Sequence, residues 1–415
     1  MFVDSVLKLI TSTFVFVKNI RSNEDALTDI RTSMISNKAL FKSALELERY
    51  YYISSQTLPR RYWRPHGFAT ASDSEQITKA IKFHKLADKT LADVIESTLG
   101  AAYLTDPTNT SLKLALQAAH QLQVPLETVL LWSDFNQLFE AEKIECLYDA
   151  SLRECSIERV TEIVGHTFKN TGLIVEALTH ASVPASSVPC YQRLEFLGDA
   201  VLDFCVTDYL FEKYGTAPPG LLHNLRKSSV NNDILSVLCV QLKLHTHIRH
   251  GSSYLLESIL QFVQLVQGST EKEGEYWLDF NPPKVLSDVI ESLIGAVYVD
   301  CEFRLEPVLK LFKRWLKPLL EKHISLQSIQ EHPVGKLKYF VQAYGCHQCE
   351  TRNITQNASG PKNCIVFIHQ KPFTSGSGLN TREARKEAAT RACELLQQDE
   401  TLLPRLCTCK QSIDF

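Results

Sequence analysis

Residues 89–104 read KTLADVIESTLGAAYL, and residues 284–299 read KVLSDVIESLIGAVYV. No other feature constrains the fold as much, because a domain-sized period means a duplicated domain and not a solenoid of short repeats. One constant offset aligns much of the chain with itself. Asp4-Ser5-Val6-Leu7 falls on Asp199-Ala200-Val201-Leu202, Arg31 on Arg226, Asn37 on Asn232 and Leu40 on Leu235. Lys89, Asp93, Glu96, Gly100 and Tyr103 fall on Lys284, Asp288, Glu291, Gly295 and Tyr298. Apolar residues recur at helical intervals, as in Leu286, Val289, Ile290, Leu293 and Ile294, and alternating strand patterns are scarce before residue 330.

The chain reads as a first copy over 1–104, a helical connector over 105–155, a second copy over 156–322 and a small module over 332–409. The module opens with the helical pattern LKYFVQAYGC and passes through the β-rich NCIVFIHQKP and an SGSG turn. It closes with the helix TREARKEAATRACELLQ, an order that fits α-β-β-β-α. The N-terminal stretch MFVDSVLKLITSTFVFVKNI resembles a signal peptide, but Asp4 and Lys8 interrupt it and no cleavage site follows. No apolar run reaches the roughly eighteen residues of a membrane span. Twelve scattered cysteines fit reduced thiols in the cytosol or nucleus, with room for a metal site. A net charge of −3 argues against a generally basic nucleic-acid binder while leaving room for local basic patches.

The chemistry concentrates in acids. Glu195 and Asp199 are four apart in QRLEFLGDAVLDF and share one helix face; Asp288 and Glu291 are three apart and share another. Four gathered carboxylates repel one another unless a hard cation sits among them, and Mg²⁺ (or Mn²⁺) can activate water against a phosphodiester. Taken singly, a DxxE is ordinary surface charge on an amphipathic helix. Two things weaken that reading: these acids lie in apolar segments, and the DxxE recurs in both copies. Lys284 and Lys89 lie one turn before Asp288 and Asp93, as a catalytic cation toward phosphate or as a plain helix ion pair.

RLEFLGDAVL followed by KVLSDVIESLIGA resembles the ribonuclease III family, and LTHAS at 178–182 resembles that family's first helical motif. Two such domains ahead of a small αβ module resemble the C-terminal part of a fungal Dicer-like protein. The resemblance implies a mainly α fold, with two tandem all-helical ribonuclease III domains paired as an intramolecular dimer and a small α+β double-stranded-RNA-binding domain. It implies a Mg²⁺-dependent endoribonuclease that cuts double-stranded RNA into short duplexes with 5′ phosphates and 3′ overhangs, acting with RNA-silencing partners in gene silencing and antiviral defence. Glu195, Asp199, Asp288 and Glu291 match the four metal-binding acids, and Asn232 and Arg226 match a motif beside the site, where the plainer roles are helix capping and surface charge.

The first copy departs from the pattern. It retains Asp4, Asp93 and Glu96, but the counterpart of Glu195 would precede Met1. The expectation is therefore a fragment or late-started chain, with the second domain competent and the first impaired; a catalytically inactive RNA-binding or structural protein is the alternative. LPRRYWRPHG at 58–67 offers arginines for phosphate or, equally, a Pro-bounded loop anchored by Trp63. Arg382, Arg385 and Lys386 open the last helix as a candidate RNA-binding face, where amide dipoles also favour phosphate; the alternative is a solvated helix face. Residues 331–415 carry 11 Lys+Arg against 8 Asp+Glu, a mild positive excess, but Thr381 and Glu383 dilute the cationic helix start, which predicts weak RNA affinity. Cys346, His369, Cys407 and Cys409 suit tetrahedral zinc and match a set found in some fungal Dicers, with Cys349 and Cys364 as rival ligands.

Overall fold

A computed structural model describes residues 2–53, 87–106, 112–127, 129–142, 154–183, 189–268, 281–346, 348–354, 361–378, 380–399, 401–407 and 409. The 58–67 stretch lies outside them. The described chain is mainly helical, with one small antiparallel sheet near its C-terminal end. No helix among the described residues is long and apolar enough to cross a membrane. The chain divides into two compact units, and the Lys284–Asp300 helix runs through the division.

The first unit comprises residues 1–213, 247–251 and 291–312. Its Phe2–Lys18 helix buries residues on every side, among them Val6, Leu9, Ile10, Val15, Phe16 and Val17. A helix apolar all round belongs in a core, which explains why this stretch looks like a signal peptide. Within this unit the two repeats meet about an approximate twofold. The Tyr103 hydroxyl donates to Asp208 Oδ1 at 3.1 Å, and the counterpart pair, Tyr298 and Thr13, has hydroxyls 3.4 Å apart. Lys8 and Asp203 are each other's counterparts, 195 residues apart, and they touch at 3.4 Å. A residue that meets its own counterpart marks the axis of a self-complementary interface.

The connector contributes helices Lys113–Gln121 and Trp132–Glu142. Asp134 Oδ2 accepts from the amides of Leu130 and Leu131 and fixes the start of the second. Trp132 Nε1 donates to the Phe303 carbonyl at 2.7 Å, and the Phe139 ring lies near both Phe16 and Phe303. LTHAS is only partly helical: the Gly172–Leu178 helix stops before Thr179, which bridges to Arg249.

The second unit comprises residues 214–246, 252–290 and 313–415. Pro218-Pro219-Gly220 opens the Pro219–Ser229 helix, where an N-terminal proline loses no hydrogen bond. Helix Asn232–Gln241 is capped by Asn231, whose side chain accepts from the Ile234 amide; Asn232 is the first helical residue and not the cap. Toward the C-terminus come helix Pro333–Ala343, strands β1 (Cys349–Ile354), β2 (Lys362–Ile368) and β3 (Lys371–Gly378), then helix Thr381–Gln398. That is the expected α-β-β-β-α order, with the strands antiparallel in sequence order. The last helix lies on the sheet through Ala384, Ala388, Ala389 and Ala392. Its approach is close: a Cβ at Gly376 would stand 2.3 Å from the Ala388 nitrogen.

Candidate functional site

Two helices build the acidic site. Gln192–Tyr214 carries Glu195, and Lys284–Asp300 carries Asp288 and Glu291. They cross at bare backbone. A Cβ on Gly198 would lie 1.8 Å from the Glu291 carbonyl oxygen, and one on Gly295 would lie 2.3 Å from that of Leu194. Only glycine at both positions permits this approach, which brings Glu195 beside Glu291. Asp288 adds a carboxylate from one turn earlier on the same face.

Ligand oxygens of Glu195, Asp288 and Glu291 all lie within 4.8 Å of one another. Octahedral Mg²⁺ with bonds near 2.1 Å separates its ligand oxygens by about 2.9–4.2 Å, so this donor set suits a divalent cation. Burial strengthens the case, because Glu195 and Asp288 are each only 4% exposed and crowded carboxylates out of water demand a counter-charge. Lys284 Nζ lies 2.9 Å from Asp288 Oδ1 and keeps most of its side chain in solvent. Asp199 is not gathered with the other three: its Oδ2 lies 2.8 Å from Lys8 Nζ of the first repeat.

The first repeat is arranged differently. Val3 occupies the position of Gly198, and a Cβ on Gly100, the counterpart of Gly295, would lie 2.3 Å from Val3 Cγ2. A side chain, not bare backbone, therefore separates these two helices. Among the described residues, Asp4, Asp93 and Glu96 do not converge as a three-ligand group. Burial, then Asp4, which shares a hydrogen bond with it, and then Asp93 push the Glu96 carboxyl up to about 7. The folded chain thus holds a proton that the unfolded chain releases between pH 4.5 and about 7. Stability from this group is intact below pH 4.5 and lost as pH rises through 7. Thermal melts should show higher stability at about pH 5.5 than at about pH 8, and Glu96→Gln should flatten the difference. Equal pH dependence in the variant would count against the shared proton.

The thiol and imidazole set converges in the second unit. His369 Nε2 lies 3.4 Å from Cys346 Sγ, 3.2 Å from Cys407 Sγ and 3.3 Å from Cys409 Sγ. A tetrahedral zinc would set each of these N···S edges near 3.5 Å, so the four side chains are spaced about as such a site requires. His369 and Gln370 form the two-residue β2–β3 turn, with φ of 50° and 62°. Left-handed backbone at a histidine is strained, as at sites where a side chain must be aimed. The rivals stand apart: Cys349 begins β1, and Cys364 sits in β2 beside Arg385.

The candidate RNA-binding cations have other engagements. Arg382 Nη1 lies 2.8 Å from Oδ1 of Asp233, whose side chain is 4% exposed. Arg385 is exposed, and Lys386 and Arg382 both face His332, whose burial first and whose cationic neighbours second bring it down to about 4. The helix N-terminus offers less to phosphate than the sequence suggests, because the Asn380 side chain already accepts from the amides of Arg382 and Glu383.

Lys8, Asp203 and Asp233 were not among the site residues read from the sequence. Lys8 and Asp203 carried one legible signal: a duplicated helix that packs on its copy puts counterpart positions together at the axis, and these two have opposite charge. Asp233 carried none, since its partner is 149 residues away.

Comparison with known proteins agrees with this architecture. The family model described as the ribonuclease III domain matches residues 4–107 and 192–302, one segment in each repeat. Dicer-like protein 1 of Aspergillus niger is 30% identical over 99% of this chain, which spans 28% of that protein. Protein Dicer of Schizosaccharomyces pombe is 29% identical over 99% of the chain, which spans 30% of its length. The solved Dicer of Giardia covers 78% of the chain, and the chain covers 54% of it, at 15% identity and a TM-score of 0.41. With family matches in both copies and the acids of the second drawn together, the chain belongs to the ribonuclease III family.

Proposed function

We propose that this chain is the nuclease part of a Dicer-like endoribonuclease acting on double-stranded RNA, with its working centre in the second repeat. The observation that carries the reading is the convergence of Glu195, Asp288 and Glu291 from two helices far apart in sequence. Glu195, Asp288 and Glu291 would hold Mg²⁺ or Mn²⁺, with Asp199 as a fourth carboxylate. Such a cation supplies Lewis acidity to a phosphodiester and lowers the pKa of water. The chain's own residues do the rest. The buried carboxylates fix the cation's place, and Lys284, on the exposed flank beside Asp288, offers its ammonium to the phosphate being cut. Each cut would leave a 5′ phosphate on the strand it breaks; short duplexes with 3′ overhangs, in the manner of RNA silencing, would need the other strand cut as well.

The first repeat serves mainly as the partner that completes the fold of the second. Among the described residues its own acids do not form a three-ligand group, and Glu96, hydrogen-bonded to Asp4, holds a proton near neutral pH. The assay is duplex RNA with each strand end-labelled separately, in the presence of Mg²⁺. Cuts confined to one strand at each site support the reading. Cuts in single-stranded RNA alone, or none in duplex RNA that is still bound, would replace it with a different nuclease or with a binding protein.

The Cys346, His369, Cys407 and Cys409 set would hold zinc and tie the C-terminal residues to the β2–β3 hairpin. Chelation should release about one zinc per chain and lower the melting midpoint of the C-terminal module by several degrees. Cys407→Ser should reproduce both effects, whereas Cys349→Ser and Cys364→Ser should keep the zinc. Metal analysis by mass spectrometry decides it, and a zinc content unchanged in Cys407→Ser counts against the site.

A further inference from the structure

The ion pair joining the two repeats lies one helical turn along from Glu195 of the acidic site. Lys8 Nζ stands 2.8 Å from Asp199 and 3.4 Å from Asp203. The two acids differ in exposure: 3% for the Asp203 side chain, 39% for that of Asp199. Asp203, Asp199 and Glu195 follow one another at four-residue steps along one helix face. Glu195 belongs to the converged carboxylates at the far end of that row, while Asp203 lies on the axis between repeats.

A carboxylate as buried as Asp203 cannot be left without a counter-charge at small cost. Asp199 can, because it is partly in water and turns about two side-chain bonds. Lys8 therefore has one partner that is costly to leave and one that it can release at small cost. The other nearby cation is less able to move. Arg31 Nη1 donates to Ser12 Oγ at 3.0 Å, and its guanidinium lies 4.7 Å over the Phe196 ring. Arg31 also feels the charges of Asp199 and Asp203, so the first repeat sends two cations to a pair of acids in the second.

We infer that Lys8 of the first repeat is a positioning residue for the cation site of the second, holding Asp199 away until a divalent cation takes its place. The inference rests on the proposed cation site. Loading would exchange one partner of Asp199 for another, while Lys8 stays on Asp203. Pairing of the repeats thereby sets how readily the fourth carboxylate is delivered, and a first repeat that does not cut still tunes the repeat that does.

The test is Mn²⁺ binding by calorimetry on the zinc-replete full chain without RNA, with a thermal melt of every variant. Lys8→Met should tighten Mn²⁺ binding about 5-fold or more, and the gain should vanish in an Asp199→Asn background. Asp203→Asn, which removes the competing partner and leaves Lys8 to Asp199, should instead weaken binding about 3-fold. Equal tightening by Lys8→Met with and without Asp199→Asn would mean only a general loss of positive charge, and would overturn the inference. So would no change in either background. Asp203→Asn keeps the shape of the axis and supplies a second, opposite-signed reading should Lys8→Met fail to fold. Failure of the underlying site is separable: there, Glu195→Gln would leave Mn²⁺ binding untouched in every background.

Discussion

Glu195→Gln should lower cleavage of duplex RNA by on the order of 10²–10³-fold with the melting midpoint little changed. Glutamine keeps the shape of a side chain that is 4% exposed and removes one negative charge from the converged carboxylates. Losing a cation's charged ligand costs both its affinity and its placement. Asp288→Asn should act alike, since Asp288 is equally buried and supplies another ligand of the same group. The informative contrast lies in the first repeat. Asp93→Asn, at the counterpart of Asp288, should change the rate by less than about 2-fold, because Asp93 does not join a three-ligand group. Single-turnover rates on one labelled duplex check all three variants. A large loss from Asp93→Asn would mean that the first repeat also cuts.

Gly198→Ala should do broader damage. The added methyl would fall 1.8 Å from the Glu291 carbonyl oxygen, which is backbone and cannot swing aside. The helices must separate, at a cost of about 1–3 kcal/mol or more. That separation also pulls Glu195 from Glu291, so stability and cation binding should fall together. Gly220→Ala is the matched control, since nothing lies within 4 Å of a Cβ there and alanine suits a helix better. Urea denaturation and Mn²⁺ titration read both effects. A Gly198→Ala chain with unchanged midpoint and cation affinity would refute the close crossing as the device that builds the site.

Particular elements show what the sequence could and could not disclose. The pairs Glu195/Asp199 and Asp288/Glu291 were legible because helical spacing alone decides which residues share a face. Which way Asp199 turns was not, because Lys8 arrives from the other repeat and one helix's pattern carries no trace of it. Asp4, Asp93 and Glu96 keep the right letters at the right offset, yet Val3 in place of Gly198 alters the crossing that would bring them together. The Cys346, His369, Cys407 and Cys409 set was legible as residue types, but what separates His369 from the rivals is a two-residue turn that sets its ring against three thiols. Arg382 looked like a phosphate contact because its helix is cationic, and only the fold sets it against the buried Asp233.

If the residues converge as described, the second repeat assembles a divalent-cation site and the first does not. Anomalous diffraction from crystals of the full chain soaked in Mn²⁺ tests it most directly. A peak is expected among Glu195, Asp288 and Glu291, and none among Asp4, Asp93 and Glu96. Peaks of equal height in both repeats, or a peak in the first alone, would contradict it.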